Sequence, residues 1–106
     1  MFNDIQKTIA LDFARTLTKR DYAAAYSMCS QHLQSDLSEE ELQQAFEKII
    51  PPNWSDIKPV ALEDNADFPF VYVALDGDTH SEAIVIDAFQ TEGGQVKIDE
   101  FEFGRP

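Results

Sequence analysis

Among the residues able to do chemistry, Asp87 is singled out by its spacing. In the run Ser81–Gln90 it shares parity with Ala83, Val85 and Phe89, so in a strand its carboxylate points to an apolar face. Desolvation there raises a carboxyl pKa and suits the group to general acid or base work. Tyr26 and Tyr72 carry phenols that can donate to a developing oxyanion. The structural alternative is a bulge or strand end that turns Asp87 to water, or an ion pair with Lys97 across the Gly93-Gly94 hairpin. Perturbed carboxylates are common in such structural pairs too.

Other reactive side chains lack partners at the spacing chemistry needs. His32 falls near the end of a helical run, where an imidazolium interacts favourably with the dipole. His80 sits in the Asp76–Ser81 turn. Neither has a Ser or Cys at nucleophile-like spacing, and no G-x-S-x-G signature is present. Asp76, Asp78 and Glu82 cluster around that turn, but the spacing is not that of a calcium loop, with His80 where a third oxygen ligand belongs. No metal and no cofactor are expected. Cys29, inside a helical run, reads as a small core residue. Phe68, Phe70, Tyr72, Phe89, Phe101 and Phe103 are needed to fill the core of so small a chain, and Trp54 sits in a connector that covers its end.

The elements that must position these groups divide near Pro51-Pro52. Before it, Ile5, Ile9, Phe13 and Leu17, with Ala10 and Ala14 beside them, form the apolar stripe of a helix over residues 3–19. Asp21 caps a second helix running from Tyr22 to Cys29 or Leu33. Ser38 and Glu41 form a capping box, Leu37 and Leu42 a hydrophobic staple, and Pro51-Pro52 ends this third helix. Beyond Trp54 the pattern is that of strands: Val60-Ala61-Leu62, Phe70–Leu75, Ser81–Gln90 and Gln95–Phe103, with turns at Asp76-Gly77-Asp78 and Gly93-Gly94. Val96 and Ile98 have the opposite parity to Phe101 and Phe103, so an extra residue at Asp99-Glu100 is expected as a β-bulge. The reading for residues 1–106 is a single α+β domain: three N-terminal helices packed on a curved four-stranded antiparallel sheet.

The charge is large and unevenly spread. The chain of 106 residues carries a formal charge of −12. Residues 1–50 hold eight acidic and five basic side chains, residues 51–106 twelve acidic and three basic ones. Such a field argues against nucleic acid and anionic membranes and favours encounter with a basic partner. Solubility alone is the plainer explanation of the same acidity. No apolar run is long enough for a transmembrane helix, the N-terminal residues show no secretory signal, and the single cysteine makes no internal disulfide, so a cytoplasmic location is expected.

The order of elements resembles the nuclear transport factor 2-like (cystatin-like α+β) superfamily in its short form. The residues that carry the resemblance are Ala10, Phe13, Ala14 and Leu17, then Arg20-Asp21-Tyr22 and Ala25-Tyr26, and the closing run Val96 to Gly104. The resemblance implies a cone of helices and curved sheet, frequent dimerisation through the sheet, and functions ranging from isomerases and dehydratases to toxin-neutralising immunity proteins. Fold alone therefore selects no activity.

The leading expectation is a non-enzymatic acidic protein-binding module, one form of which is an immunity-type inhibitor of a basic toxin. Asp76, Asp78, Glu82, Asp99, Glu100 and Glu102 are its partner-binding residues. The alternatives are a small isomerase- or dehydratase-like enzyme using Asp87 with Tyr26 or Tyr72, and a homodimeric scaffold joined through the sheet.

Overall fold

The computed structural model describes residues 3–51, 58–64, 71–76 and 81–103. Within them the chain runs α1 (Asp4–Thr18), α2 (Tyr22–Ser27), α3 (Gln31–Asp36), α4 (Glu39–Ile49), β1 (Lys58–Asp64), β2 (Val71–Asp76), β3 (Ser81–Glu92) and β4 (Gln95–Phe103). Trp54, Phe68, Phe70, Asp78 and His80 lie outside the described residues, as do the side chains of Tyr72, Asp76 and Glu82.

Local sequence accounts for the helix ends. Asn3 and Gln6 close a capping box on α1, and Ser38 and Glu41 close the expected one on α4, with Glu41 N–H donating to Ser38 Oγ at 3.1 Å. Asp21 caps α2 by accepting from Ala24 N–H. Helix α1 ends in a Schellman arrangement: Arg20 N–H donates to Leu17 O and Asp21 N–H to Thr16 O, with Arg20 in the left-handed region at φ 62°. Glycine is the usual residue there. Arg20 is held instead by its side chain, which donates to Ile50 O at 3.0 Å and Pro51 O at 2.9 Å and lies over the Phe46 ring. The two helix ends are thereby tied together.

The stripe of α1 is buried at Ala10, Phe13, Ala14 and Leu17, but Ile5 is 62% exposed and Ile9 only half-buried. These residues join Ala25, Cys29, Leu42, Phe46 and Ile50 from the other helical segments, and Val73, Ile84, Ile86 and Ile98 from the strands, in one core. Phe101 and Phe103 pack against it, their rings 5.5 Å from Phe13 and Phe46 respectively. At about 25 cal/mol per Å² of apolar surface, burial of this cluster is the main stabilising term.

Three helices on a curved four-stranded sheet is not the architecture found. Among the described residues there are four helices, because the expected second helix is broken at Met28–Ser30. That segment runs alongside β4: Ile98 N–H donates to Met28 O at 2.8 Å and Ser30 N–H to Ile98 O at 2.7 Å. Ser30 then caps α3 by accepting from Leu33 N–H. Among the described side chains, the helix-facing core takes its strand residues other than Val73 from one two-stranded antiparallel ribbon, β3–β4, and β1 and β2 join the ladder in the order β1-β2-β3-β4. The α+β class holds; the cone does not.

Two irregularities interrupt the β3–β4 ladder. Ile86 pairs with Phe101, Ala88 with Glu100 and Phe89 with Ile98, so Asp87 is skipped on β3 and Asp99 on β4. The irregularity expected at Asp99-Glu100 is there, but it is answered by one on the facing strand. An unpaired extra residue bends a ribbon by lengthening one strand; one on each side cancels the mismatch, and the ladder resumes in its former register. Past the bulge, Ile98, Phe101 and Phe103 turn to the core while Glu100 and Glu102 are exposed.

Candidate functional site

The two skipped residues are both aspartates, and they meet different surroundings. Asp99 is met by the α2–α3 connection. Ser30, wholly buried, donates its hydroxyl to Asp99 Oδ1 at 2.6 Å, and His32 Nδ1 lies 3.4 Å from the same oxygen. His32 Nε2 is 3.8 Å from Asp36 on the next turn of α3. Alongside, Gln31 N–H donates to Glu92 at 3.1 Å and Lys97 Nζ donates to Ser27 O at 2.8 Å. Ser, His and Asp are together here, but the carboxylate, not the imidazole, holds the hydroxyl. The imidazole bonds the carboxylate side and is not placed to take the Ser30 proton, so the arrangement reads as a fastening and not as a serine–histidine nucleophile.

Asp87 lies on the other side of the ribbon. It shares the face of Ala83 and Val85, which are buried yet stand outside the helix-facing cluster. Glu102 is opposite Val85 in the ladder and Glu100 opposite Ala88, both exposed. Burial, then the charge of Glu102, a hydrogen bond to it, and the charge of Glu100 push Asp87 up to about 6. A hydrogen bond between two carboxyl groups requires a shared proton, which is why the pair resists full ionisation. Among the described residues no cation is paired with Glu100 or Glu102.

Two of the expected companions of Asp87, Tyr26 and Lys97, are bonded elsewhere, and the side chain of the third, Tyr72, lies outside the described residues. Tyr26 donates its hydroxyl to Gln34 O at 3.0 Å, and Gln34 Nε2 returns a bond to Tyr26 O at 2.8 Å, closing α2 against α3. Tyr72 pairs through its backbone with Glu63 and Val85. Lys97 is opposite Gln90 and bonded to Ser27, not to Asp87. Burial pushes the Cys29 thiol up to about 12, so it is no nucleophile at neutral pH. An open recess of about 220 Å³ is lined by Asp4, Ile5, Thr8 and Ile9 on α1, far in sequence from these acids.

Of the six acids expected to bind a partner, Glu100 and Glu102 are exposed and brought together, with the half-buried Asp87 joining them. Asp99 is separated from them by its bonds to Ser30 and His32. The Ser30 fastening was missed in the sequence because its signal is only a serine three residues before Leu33, with no acid or amide at the position that completes a capping box. No group of three His, Cys, Asp or Glu among the described residues could hold a metal ion. No helix among them is long and apolar enough to cross a membrane. No family model matches the chain, and no curated protein and no solved structure matches it significantly.

Proposed function

We propose that the chain is a non-enzymatic binding module whose β3–β4 outer face engages a basic protein. The observation that carries the reading is Asp87, Glu100 and Glu102 facing one another with no described cation between them. Such a grouping is destabilised by its own repulsion, and a partner's Lys or Arg relieves it while speeding encounter. An immunity-type antagonist of a phosphate-binding, hence basic, toxin is one protein of this kind. The single cysteine, buried and unreactive, supports a reducing, cytoplasmic setting. The acid–base alternative keeps Asp87, whose raised pKa suits proton transfer, but loses Tyr26, committed to Gln34.

The test is binding of poly-lysine followed as NaCl is raised. Affinity falls steeply with salt, and the double variant Glu100→Lys/Glu102→Lys loses at least about tenfold at low salt. Glu39→Lys/Glu40→Lys on α4 alters the net charge equally and loses much less. Equal losses from both double variants would reduce the effect to net charge and remove the site.

A further inference from the structure

β4 is the last strand of the sheet order, so among the described residues one of its edges has no neighbouring strand. Part of that edge is already used. Ile98 turns its amide and carbonyl outward, and Met28–Ser30 pairs with them in parallel. Backbone groups of alternate residues turn to the same edge of a strand. With the bulge absorbing Asp99, Phe101 and Phe103 follow Ile98 in that alternation. Neither makes a backbone hydrogen bond outside the β3 ladder among the described residues. After Ser30 the chain turns into α3, which stays beside β4 through His32 and Asp99 but, among the described residues, makes no backbone hydrogen bond to it, so the backbone pairing stops before these groups begin.

We propose that an extended segment of the basic partner adds to this edge as a further strand, pairing with Phe101 and Phe103. This rests on the reading of a basic partner given above and specifies how that partner is held. The side chains select the occupant. On one face of the added strand, neighbours would be the half-buried Phe101 and Phe103; on the other, the exposed Glu100 and Glu102. The segment that fits alternates apolar and basic residues. The same acids oppose a second copy of β4, since two such edges would set carboxylates against carboxylates, a recognised guard against edge-to-edge pairing. The edge is thus closed to itself and open to cations.

The probe is a short peptide alternating Lys and Val, titrated into the full chain at low salt, with two further peptides N-methylated at alternate residues in the two possible phases. N-methylation removes donors from one edge of a strand and leaves charge unchanged. Strand addition predicts that one phase loses about tenfold or more in affinity while the other stays within about twofold, as expected for deleting backbone hydrogen bonds from one edge only. Amide exchange at Phe101 and Phe103 slows when the parent peptide binds. Equal binding of all three peptides overturns strand addition and leaves the charged face standing. Absence of binding by the parent peptide overturns both. A dimer of the chain alone in sedimentation, broken by the peptide, assigns the edge to a second copy and overturns the basic occupant.

Discussion

Asp87 and Asp99 are the same residue type, skipped by the same ladder on either side of the Ala88–Glu100 pair, with opposite fates. Asp99 meets a hydroxyl from the α2–α3 connection and an imidazole from α3, and its bulge is part of what holds the helices to the ribbon. Asp87 meets two glutamates, and nothing described compensates it. One bulge is explained by the fold around it. The other is costly to the fold, and a cost retained at a surface is where a partner is expected.

Breaking the satisfied side has the largest effect. Asp99→Ala leaves the buried Ser30 hydroxyl without its acceptor and is expected to lower stability by about 2 kcal/mol, read from the urea midpoint. The reverse is expected at the other bulge: Asp87→Asn removes a carboxylate pressed against Glu102 and raises stability at pH 7 by about 1 kcal/mol, a value reduced for solvent screening. A destabilised Asp87→Asn would mean that Asp87 has a favourable partner after all.

The pH dependence sharpens the contrast. Asp87 has a raised native pKa, about 6 against the ordinary 3.8, so the native state holds the proton over a range in which the unfolded chain has lost it. Its contribution favours folding below about pH 4, declines as pH rises, and has become a full penalty above about pH 6. The stability gap between Asp87→Asn and the native chain should therefore open across that window and be flat outside it, as followed by urea melts at several pH values. The smallest effect is at the exposed imidazole: His32→Ala should change stability by no more than about 0.5 kcal/mol, because the ring itself is open to water and its contacts to Asp36 and Asp99 are 3.8 and 3.4 Å.

Features set by neighbours in sequence were legible, and those set across the chain were not. The Ser38–Glu41 box, the Asp21 cap and the Gly93-Gly94 hairpin, with φ of 56° and 81°, are local and read directly. The bulge at Asp99 was legible from the parity of Ile98 and Phe101. Its counterpart at Asp87 was not, because the Ser81–Gln90 alternation gives no sign of a skipped residue. The break between α2 and α3 depends on Cys29 meeting Ile98, a contact no helical propensity encodes. Ile5 continued the apolar stripe of α1 faultlessly, yet its turn found nothing to pack against among the described residues. At the site, parity turned Asp87 to the same face as Val85, but the acids opposite it required knowledge of the β3–β4 register.

The most direct test of an uncompensated outer face is the side-chain titration of Asp87 by carbon-detected NMR, alone and with the alternating Lys–Val peptide. The carboxyl is expected to titrate near 6 in the free chain, to move down toward the ordinary range in Glu102→Gln, and to move down when the peptide binds. A free Asp87 already titrating near 4, unmoved by either change, would contradict the account.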